Sequence, residues 1–281
     1  MPDTTIDIRQ ASHPEAVRRY DTGELRRHFL IEELFRPGEV RLTYSHIERF
    51  VVGGAAPLDR PLTLPAPKPL GTASFLARRE LGVVNIGGPG RVRVGGASHD
   101  LGHRDALYAG MGAGEVVFES VDGATPARFY LLSTPAHAAY DTTVVPLSRA
   151  KSLSLGDAVT ANRRTIYQML HPDVCRTCQL VMGMTRLDEG SIWNTMPAHV
   201  HDRRSEVYLY FDLAADARVI HLLGEPAETR HLVVANEQAV LSPNWSVHSG
   251  VGTRAYTFIW GMGGDNVDYA DMDPVTMDML R

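Results

Sequence analysis

The chain has 281 residues, 44% of them hydrophobic and 22% charged, enough for one large or two ordinary globular domains with a real core. Its net charge is −5, from 28 basic and 33 acidic side chains, and no basic run resembles a nucleic-acid stripe, so a polyanion partner is not expected. No window approaches 18 uninterrupted apolar residues, so no membrane span is expected either.

The opening stretch "MPDTTIDIRQASHPEAV" is polar and acidic, without the basic segment and apolar run of a secretion signal. A cytoplasmic protein is the expectation. Residues 13–35, "HPEAVRRYDTGELRRHFLIEELF", carry good helix formers, and Asp21–Thr22–Gly23 breaks them into two short pieces. Further single helical turns fit only "DALYAG" (105–110) and "ANRRTIYQML" (161–170). Nearly everything else reads as short strands between Gly, Pro, Asn and Asp: "RLTYSHIERFVVGG", "LGVVNIGGPGRVRVGG", "GEVVFESV", "ARFYLLST", "TCQLVMGMTRL", "EVYLYFDL", "ARVIHLLG", "RHLVVANEQAVLS" and "AYTFIWGMG". Alternation with closely spaced turns predicts an all-β protein of antiparallel sheets, closed or packed as a sandwich. "NIGGPGRV" (85–92) has no GxGxxG or Walker pattern and strands on both sides, so it reads as a hairpin turn rather than a phosphate loop.

Cys175 and Cys178 form a C-x-x-C in "HPDVCRTCQLVMGM". A redox pair would normally open a helix, and a zinc knuckle would need a second ligand pair. Here the pair runs into a β-rich apolar segment and no other Cys exists, so both read as ordinary half-buried cysteines.

The chain also repeats itself. Residues 77–110 can be laid, with gaps, beside 202–243: both open on Arg-Arg with a glutamate close behind, Glu80 and Glu206, then run strand, turn, strand, polar link, strand. A period of about 125 residues suggests two related domains rather than a solenoid. The expected division is 1–145 and 146–281, with the join inside 140–157. Positions matching His199 and His201 fall near Ala73 and Phe75 in the first copy, and the match of His248 falls near Glu115. The first copy keeps the framework and lacks the histidines.

Those histidines are the chemical signal. With 12 His in the chain an H-x-H pair arises readily by chance, so "PAHVH" proves nothing alone. In a strand, residues i and i+2 share a face, so His199 and His201 point the same way, with Trp193, Thr195 and Pro197 if the strand is unbroken. Glu206 has the wrong parity for that strand, but the polar turn "DRRS" lets a new one begin, aiming Glu206, Tyr208 and Tyr210 at the same interior. "NEQAVLSPNWSVHSGVG" ends a strand at Pro243 and re-enters at His248, which completes the set. Three imidazoles and a carboxylate suit Zn, Fe, Mn, Co or Ni, and spacing does not choose among them.

H-x-H-x4-E followed by Pro-x4-His resembles the metal motif pair of the cupin superfamily, and the tandem resembles a bicupin. Taken together, "DTGELRRHFLIEELF", "RRELGVVNIGG", "NRRTIYQ", "CQLVMGMT", "WNTMPAHVHDRRSEVYLYF" and "NEQAVLSPNWSVHSGVGTRAYTFIWGM" resemble the 5-keto-4-deoxyuronate isomerase family, also called 4-deoxy-L-threo-5-hexosulose-uronate ketol-isomerases. The likeness covers essentially the whole chain. It implies tandem cupin-type β-barrels after a short helical N-terminal segment, with one Zn2+ per subunit held by His199, His201, Glu206 and His248. It also implies a homo-hexamer. The implied reaction is an aldose–ketose isomerisation of a small uronate to 3-deoxy-D-glycero-2,5-hexodiulosonate in pectin breakdown.

Such a carbonyl shift builds negative charge on oxygen, which a Lewis-acidic metal stabilises. Glu206 and Tyr208 are the candidates for moving the proton. An arginine fork would suit the substrate carboxylate; Arg163 is put first among Arg163, Arg164, Arg203, Arg204 and Arg230. His46 and His103, with no x-His partner, read as hydrogen-bonded structural residues. The competing readings are another metal-dependent cupin enzyme, such as a dioxygenase, and a non-catalytic sugar-binding cupin.

Overall fold

The computed structural model describes residues 6–196, 198–265 and 269–281. The chain forms two compact units: residues 1–9, 33–151 and 169–181 make the first, and 10–32, 152–168 and 182–281 the second. Each unit builds one seven-stranded and one four-stranded sheet. No helix among the described residues is long and apolar enough to cross a membrane.

In the first unit the large sheet runs, in spatial order, Asp7–Arg9, Val40–Ser45, Val51–Ala55, Phe129–Pro135, Arg79–Asn85, Ala106–Ala109 and Thr143–Val145. Its small sheet runs Leu62–Thr63, Val116–Ser120, Gly90–Val94 and Ala97–Leu101. One apolar cluster joins the two, with Leu81, Val83, Leu107 and Leu131 from the large sheet against Val92, Val94 and Phe118 from the small one. Alternation puts these side chains on one face, and removing them from water holds the sheets together.

The second unit repeats this order except at its edge, where the seventh strand comes from residues 30–31, ahead of every other strand of the unit. Its large sheet runs Lys151–Leu155, Arg164–Leu170, Val181–Leu187, Thr257–Gly264, Arg204–Phe211, Gln238–Ser242 and Leu30–Ile31. Its small sheet runs Trp193–Asn194, Ser249–Gly252, Val219–Glu225 and Glu228–Val234. The strand of Glu80 and the strand of Glu206 both occupy the fifth place in their large sheets.

Among the described residues, α-helix is confined to the segment where the sequence predicts it. Asp21 caps Thr22–Phe29 with a capping box: its carboxylate accepts the Glu24 N–H (2.8 Å) and the Glu24 carboxylate accepts the Asp21 N–H (2.9 Å). Pro14–Val17 forms the shorter piece. The helix stops at Phe29, because Leu30 and Ile31 pair with Val240 and Ala239.

Three local expectations need correction. "DALYAG" and "ANRRTIYQML" hold strands, Ala106–Ala109 and Arg164–Leu170; in the second, Thr165, Ile166 and Tyr167 favour the pleated surface over a helical turn. "NIGGPGRV" is not a hairpin. It is a corner that carries the chain from the large sheet to the small one. There Ile86 N–H bonds the Arg128 carbonyl (2.7 Å) and Gly88 N–H the Pro126 carbonyl (3.0 Å). A Cβ on Gly88 would sit 1.9 Å from the Thr125 carbonyl oxygen, so only glycine lets the backbones approach.

Glu80 shows what the first unit does with its carboxylate. The side chain is fully buried. It accepts the N–H groups of Cys178 (2.7 Å), Gln179 (2.6 Å) and Leu180 (2.7 Å) and the Tyr108 hydroxyl (2.8 Å). A buried anion persists only when its lone pairs are satisfied, and here amides and a phenol do so. Glu80→Gln turns one acceptor into a donor facing these N–H groups. It is expected to cost about 2–3 kcal/mol of stability, read from the denaturant midpoint; an unchanged midpoint would show that the carboxylate is dispensable.

Candidate metal centre

Strand register in the second unit sets up the site. Arg204–Phe211 is buried along its whole length and pairs on both sides, with Glu206 opposite Ser242 and Met262, and Tyr208 opposite Val240 and Trp260. Directly opposed residues share a face, so Glu206, Tyr208, Trp260 and Met262 look the same way. Close approach shapes the wall: a Cβ on Gly183 would lie 2.2 Å from the Trp260 ring, so glycine leaves room for the indole. Trp260 Nε1–H then donates to the Thr185 hydroxyl (3.1 Å).

His199, His201 and His248 converge on Glu206. One ligand atom from each of the four lies within 4.8 Å of all the others. His199 sits in a two-residue strand, His199–Val200, that pairs with Asp273–Pro274; His201 follows it, its N–H on the Asn244 carbonyl (3.0 Å). His248 precedes the strand Ser249–Gly252. The extended face imagined from Trp193 through His201 is interrupted. Trp193–Asn194 is a separate strand, and Thr195 turns the chain with a left-handed φ of 56°. Pro197 lies outside the described residues.

Hydrogen bonds orient the rings. His201 Nδ1 lies 3.0 Å from the Asp271 carbonyl, and His248 Nδ1 lies 3.4 Å from the Ser246 carbonyl and 3.3 Å from the Ser242 hydroxyl. A carbonyl only accepts, so Nδ1 carries the proton, in His201 through the Asp271 contact that is closer than the 3.4 Å approach of Arg204 Nε, and Nε2 presents its lone pair inward. His248 Nε2 lies 2.9 Å from His199 Nε2 and 2.9 Å from Glu206 Oε2, and His201 Nε2 lies 3.2 Å from the same oxygen. Lone pairs this close repel unless a cation stands among them. The separations are also those of neighbouring nitrogen and oxygen donors held about 2.0–2.2 Å from one ion. The donor set therefore fits a divalent metal.

Electrostatics agree. Burial pushes the His199 pKa far down, helped by the neighbouring His248, so the ring is neutral and able to ligate. Burial opposes ionisation of Glu206, but His248 and His201 outweigh it and hold the carboxyl well below its usual range. The carboxylate is an anion inside the protein, and it needs positive charge among the imidazoles, a proton or a metal, in place of water.

A cavity of about 330 Å³ opens on this cluster, lined by Arg164, Ile166, Thr195, His199, Glu206 and Tyr208 among others. Tyr208 is buried, and its hydroxyl lies 3.2 Å from the Thr195 hydroxyl, which also accepts from Asn194 Nδ2. Burial, and next the Glu206 charge, raise the Tyr208 pKa well above that of a free phenol, so it keeps its proton. Of the five arginines singled out, Arg164 is the one that lines the cavity. Arg163 is exposed, as its neighbour on a pleated strand must face away. Arg203 pairs with Asp271, Arg204 is buried with its NH2 on the Tyr269 carbonyl (2.9 Å), and Arg230 bonds Glu228 and the Arg18 carbonyl. Arg164 Nη1 donates to the Asn162 carbonyl (3.0 Å), while its buried Nε has no hydrogen-bond partner among the described residues.

His46 and His103 stand apart. His46 packs edge-on against Tyr44, and His103 Nδ1 donates to the Gly87 carbonyl (3.2 Å). Met262 was missed by sequence reasoning, although strand pairing with Glu206 would have found it; Thr195 was placed on the face of His199 only through an unbroken strand that the structure interrupts.

Comparison with known proteins places this geometry. Residues 30–276 match the KduI/IolB family. The chain is 58% identical over 278 residues to the 4-deoxy-L-threo-5-hexosulose-uronate ketol-isomerase of Burkholderia cenocepacia, covering 98% of this chain and all of that protein. It is 51% identical over 278 residues to the protein of that name from Yersinia pestis, again 98% of this chain and all of the relative. Among solved structures it resembles an IolB-like protein from Salmonella typhimurium (TM-score 0.68, 14% identity, 88% of this chain and 97% of that one). It also resembles a mutant oxalate decarboxylase from Bacillus subtilis (TM-score 0.59, 11% identity, 89% and 80%). The fold is thus that of the bicupins, and the chain belongs to the KduI/IolB family.

Proposed function

We propose that the protein is a metal-dependent ketol-isomerase that converts 4-deoxy-L-threo-5-hexosulose uronate to 3-deoxy-D-glycero-2,5-hexodiulosonate in polyuronate breakdown. The observation that carries this reading is the complete His199–His201–Glu206–His248 set, buried at a cavity in a chain 58% identical to a ketol-isomerase of that name. Zinc, one ion per subunit in a cytoplasmic homo-hexamer, is the metal of this reading. The C-terminal domain, 146–281, holds it. The N-terminal domain, 1–145, serves as framework without a ligand set.

The reaction moves a hydrogen from C2 to C1 and a proton from O2 to O1. A metal bound by the four residues would polarise the substrate oxygens as a Lewis acid. Arg164 binds the C6 carboxylate, which supplies the partner its buried Nε lacks among the described residues. This role falls to Arg164 rather than to Arg163, which is exposed. Tyr208, kept protonated by burial, donates to the oxygen that gains charge, and Thr195 aims its hydroxyl. Glu206, at the metal and beside the substrate oxygens, is the group proposed to accept the proton in transit. The apolar ring faces of Phe258 and Trp260 keep water from the reacting carbons.

The test is anaerobic turnover of the uronate before and after chelation, with metal measured on the same sample. Activity should vanish with the metal and return with zinc. A fully metallated protein that does not turn over would remove the isomerase and leave an oxygenase or a binding cupin, separable by adding oxygen. His201→Ala should lose bound metal and activity together while remaining assembled; retained metal with near-normal turnover would contradict the ligand set. Arg164→Leu should raise KM about ten- to a hundredfold, the loss of a charge-assisted hydrogen bond. Tyr208→Phe should lower kcat about a hundredfold with metal content unchanged. A Tyr208→Phe enzyme with wild-type kcat would exclude the phenol from proton handling.

A further inference from the structure

A second cluster of reactive groups lies in the first unit, where the C-x-x-C sits. Cys175 and Cys178 are both free thiols, and their surroundings differ. Cys175 is buried; burial pushes its pKa up, and its sulfur lies 3.8 Å from the Arg176 carbonyl. Cys178 is half-buried. Its sulfur receives the backbone N–H of His137 (3.3 Å) and lies 3.4 Å from His137 Nδ1. Two nitrogens of one residue thus face one sulfur, and the ring that supplies one of them is exposed.

The pairing is held rather than incidental. Cys178 N–H is fixed on Glu80, as are the next two amides. The Gln179 side-chain amide donates to the Pro135 carbonyl (3.0 Å), which ties the cysteine segment to the chain leading to His137. An imidazole nitrogen and an amide N–H both lie within hydrogen-bond distance of this sulfur, with a path to solvent, so the ring is placed to take the thiol proton as the sulfur reacts. Nothing in the metal centre uses these residues.

We propose that Cys178 and His137 form a thiol–imidazole pair that makes Cys178 the chain's reactive cysteine, a site of oxidation by hydroperoxides. The sulfur attacks one peroxide oxygen: an S–O bond forms and the O–O bond breaks. Sulfur is oxidised by two electrons to the sulfenic acid, and the peroxide is reduced to water or an alcohol. The thiol proton, taken up by His137, goes to the leaving oxygen. Cys175, buried and without an imidazole, stays reduced.

The experiment is site-resolved mass spectrometry of the native protein treated with iodoacetamide, and separately with hydrogen peroxide and a sulfenic-acid trap. Cys178 should label at least about five times faster in the native chain than in the same chain unfolded in guanidinium, while native Cys175 stays unlabelled. His137→Ala, an exposed substitution, should slow Cys178 labelling to the unfolded-chain rate with an unchanged unfolding midpoint. Native labelling no faster than unfolded, or a His137→Ala rate equal to wild type, would overturn the pair. If the variant unfolds, the native-to-unfolded ratio of the wild type decides alone. Cys178→Ser should leave isomerase turnover unaltered, so this proposal and the assigned activity fail independently.

Discussion

A carboxylate with 5% of its surface exposed, Glu206, sits among three imidazoles, and the organisation of the second unit follows from keeping it there. An isolated ionised carboxylate out of water is expensive by several kcal/mol, and here the surroundings make it more acidic rather than less. The compensation is geometric. Glu206 rides on a strand paired on both sides, His201 and His248 are pinned through Nδ1 by carbonyl groups, and their Nε2 atoms face inward. Removing one ring leaves a buried anion under-compensated; placing a divalent cation among the rings satisfies all four groups together.

The internal repeat shows the same frame carrying two outcomes. Both units thread the first six strands of the large sheet in the same spatial order, and each places a glutamate on the fifth. In the first unit that glutamate takes backbone amides and a phenol; in the second it takes imidazoles. The difference lies in short segments rather than in the sheets. "HVH" and the stretch leading to His248 deliver rings to Glu206, whereas residues 178–180 deliver N–H groups to Glu80. Fold and chemistry are separable here, as expected where sites are grafted on a scaffold.

Much of this was legible in the residues. Alternating apolar runs declared the sheets, the helix formers of 13–35 declared two short helical pieces, and strand parity brought Glu206 and Tyr208 to one face. Less legible was everything that depends on backbone turns. Thr195 adopts a left-handed conformation that its β-branched side chain disfavours, so no propensity announces it, yet it holds the Tyr208 hydroxyl. The corner at residues 85–90 looked like a hairpin because composition records that a chain turns, not which sheet it joins next. Arg163 and Arg164 were indistinguishable until the strand phase was fixed, and one residue of phase decides which of them meets the cavity.

If the four side chains hold the catalytic ion, one ion per chain is necessary and sufficient for turnover. The direct measurement is to strip the protein with chelator and restore zinc in sub-stoichiometric steps, following uronate isomerisation against metal bound per chain. Activity should start near zero, rise linearly and stop rising at one equivalent. Substantial turnover in the metal-free protein, or a rise that continues to two equivalents, would contradict it.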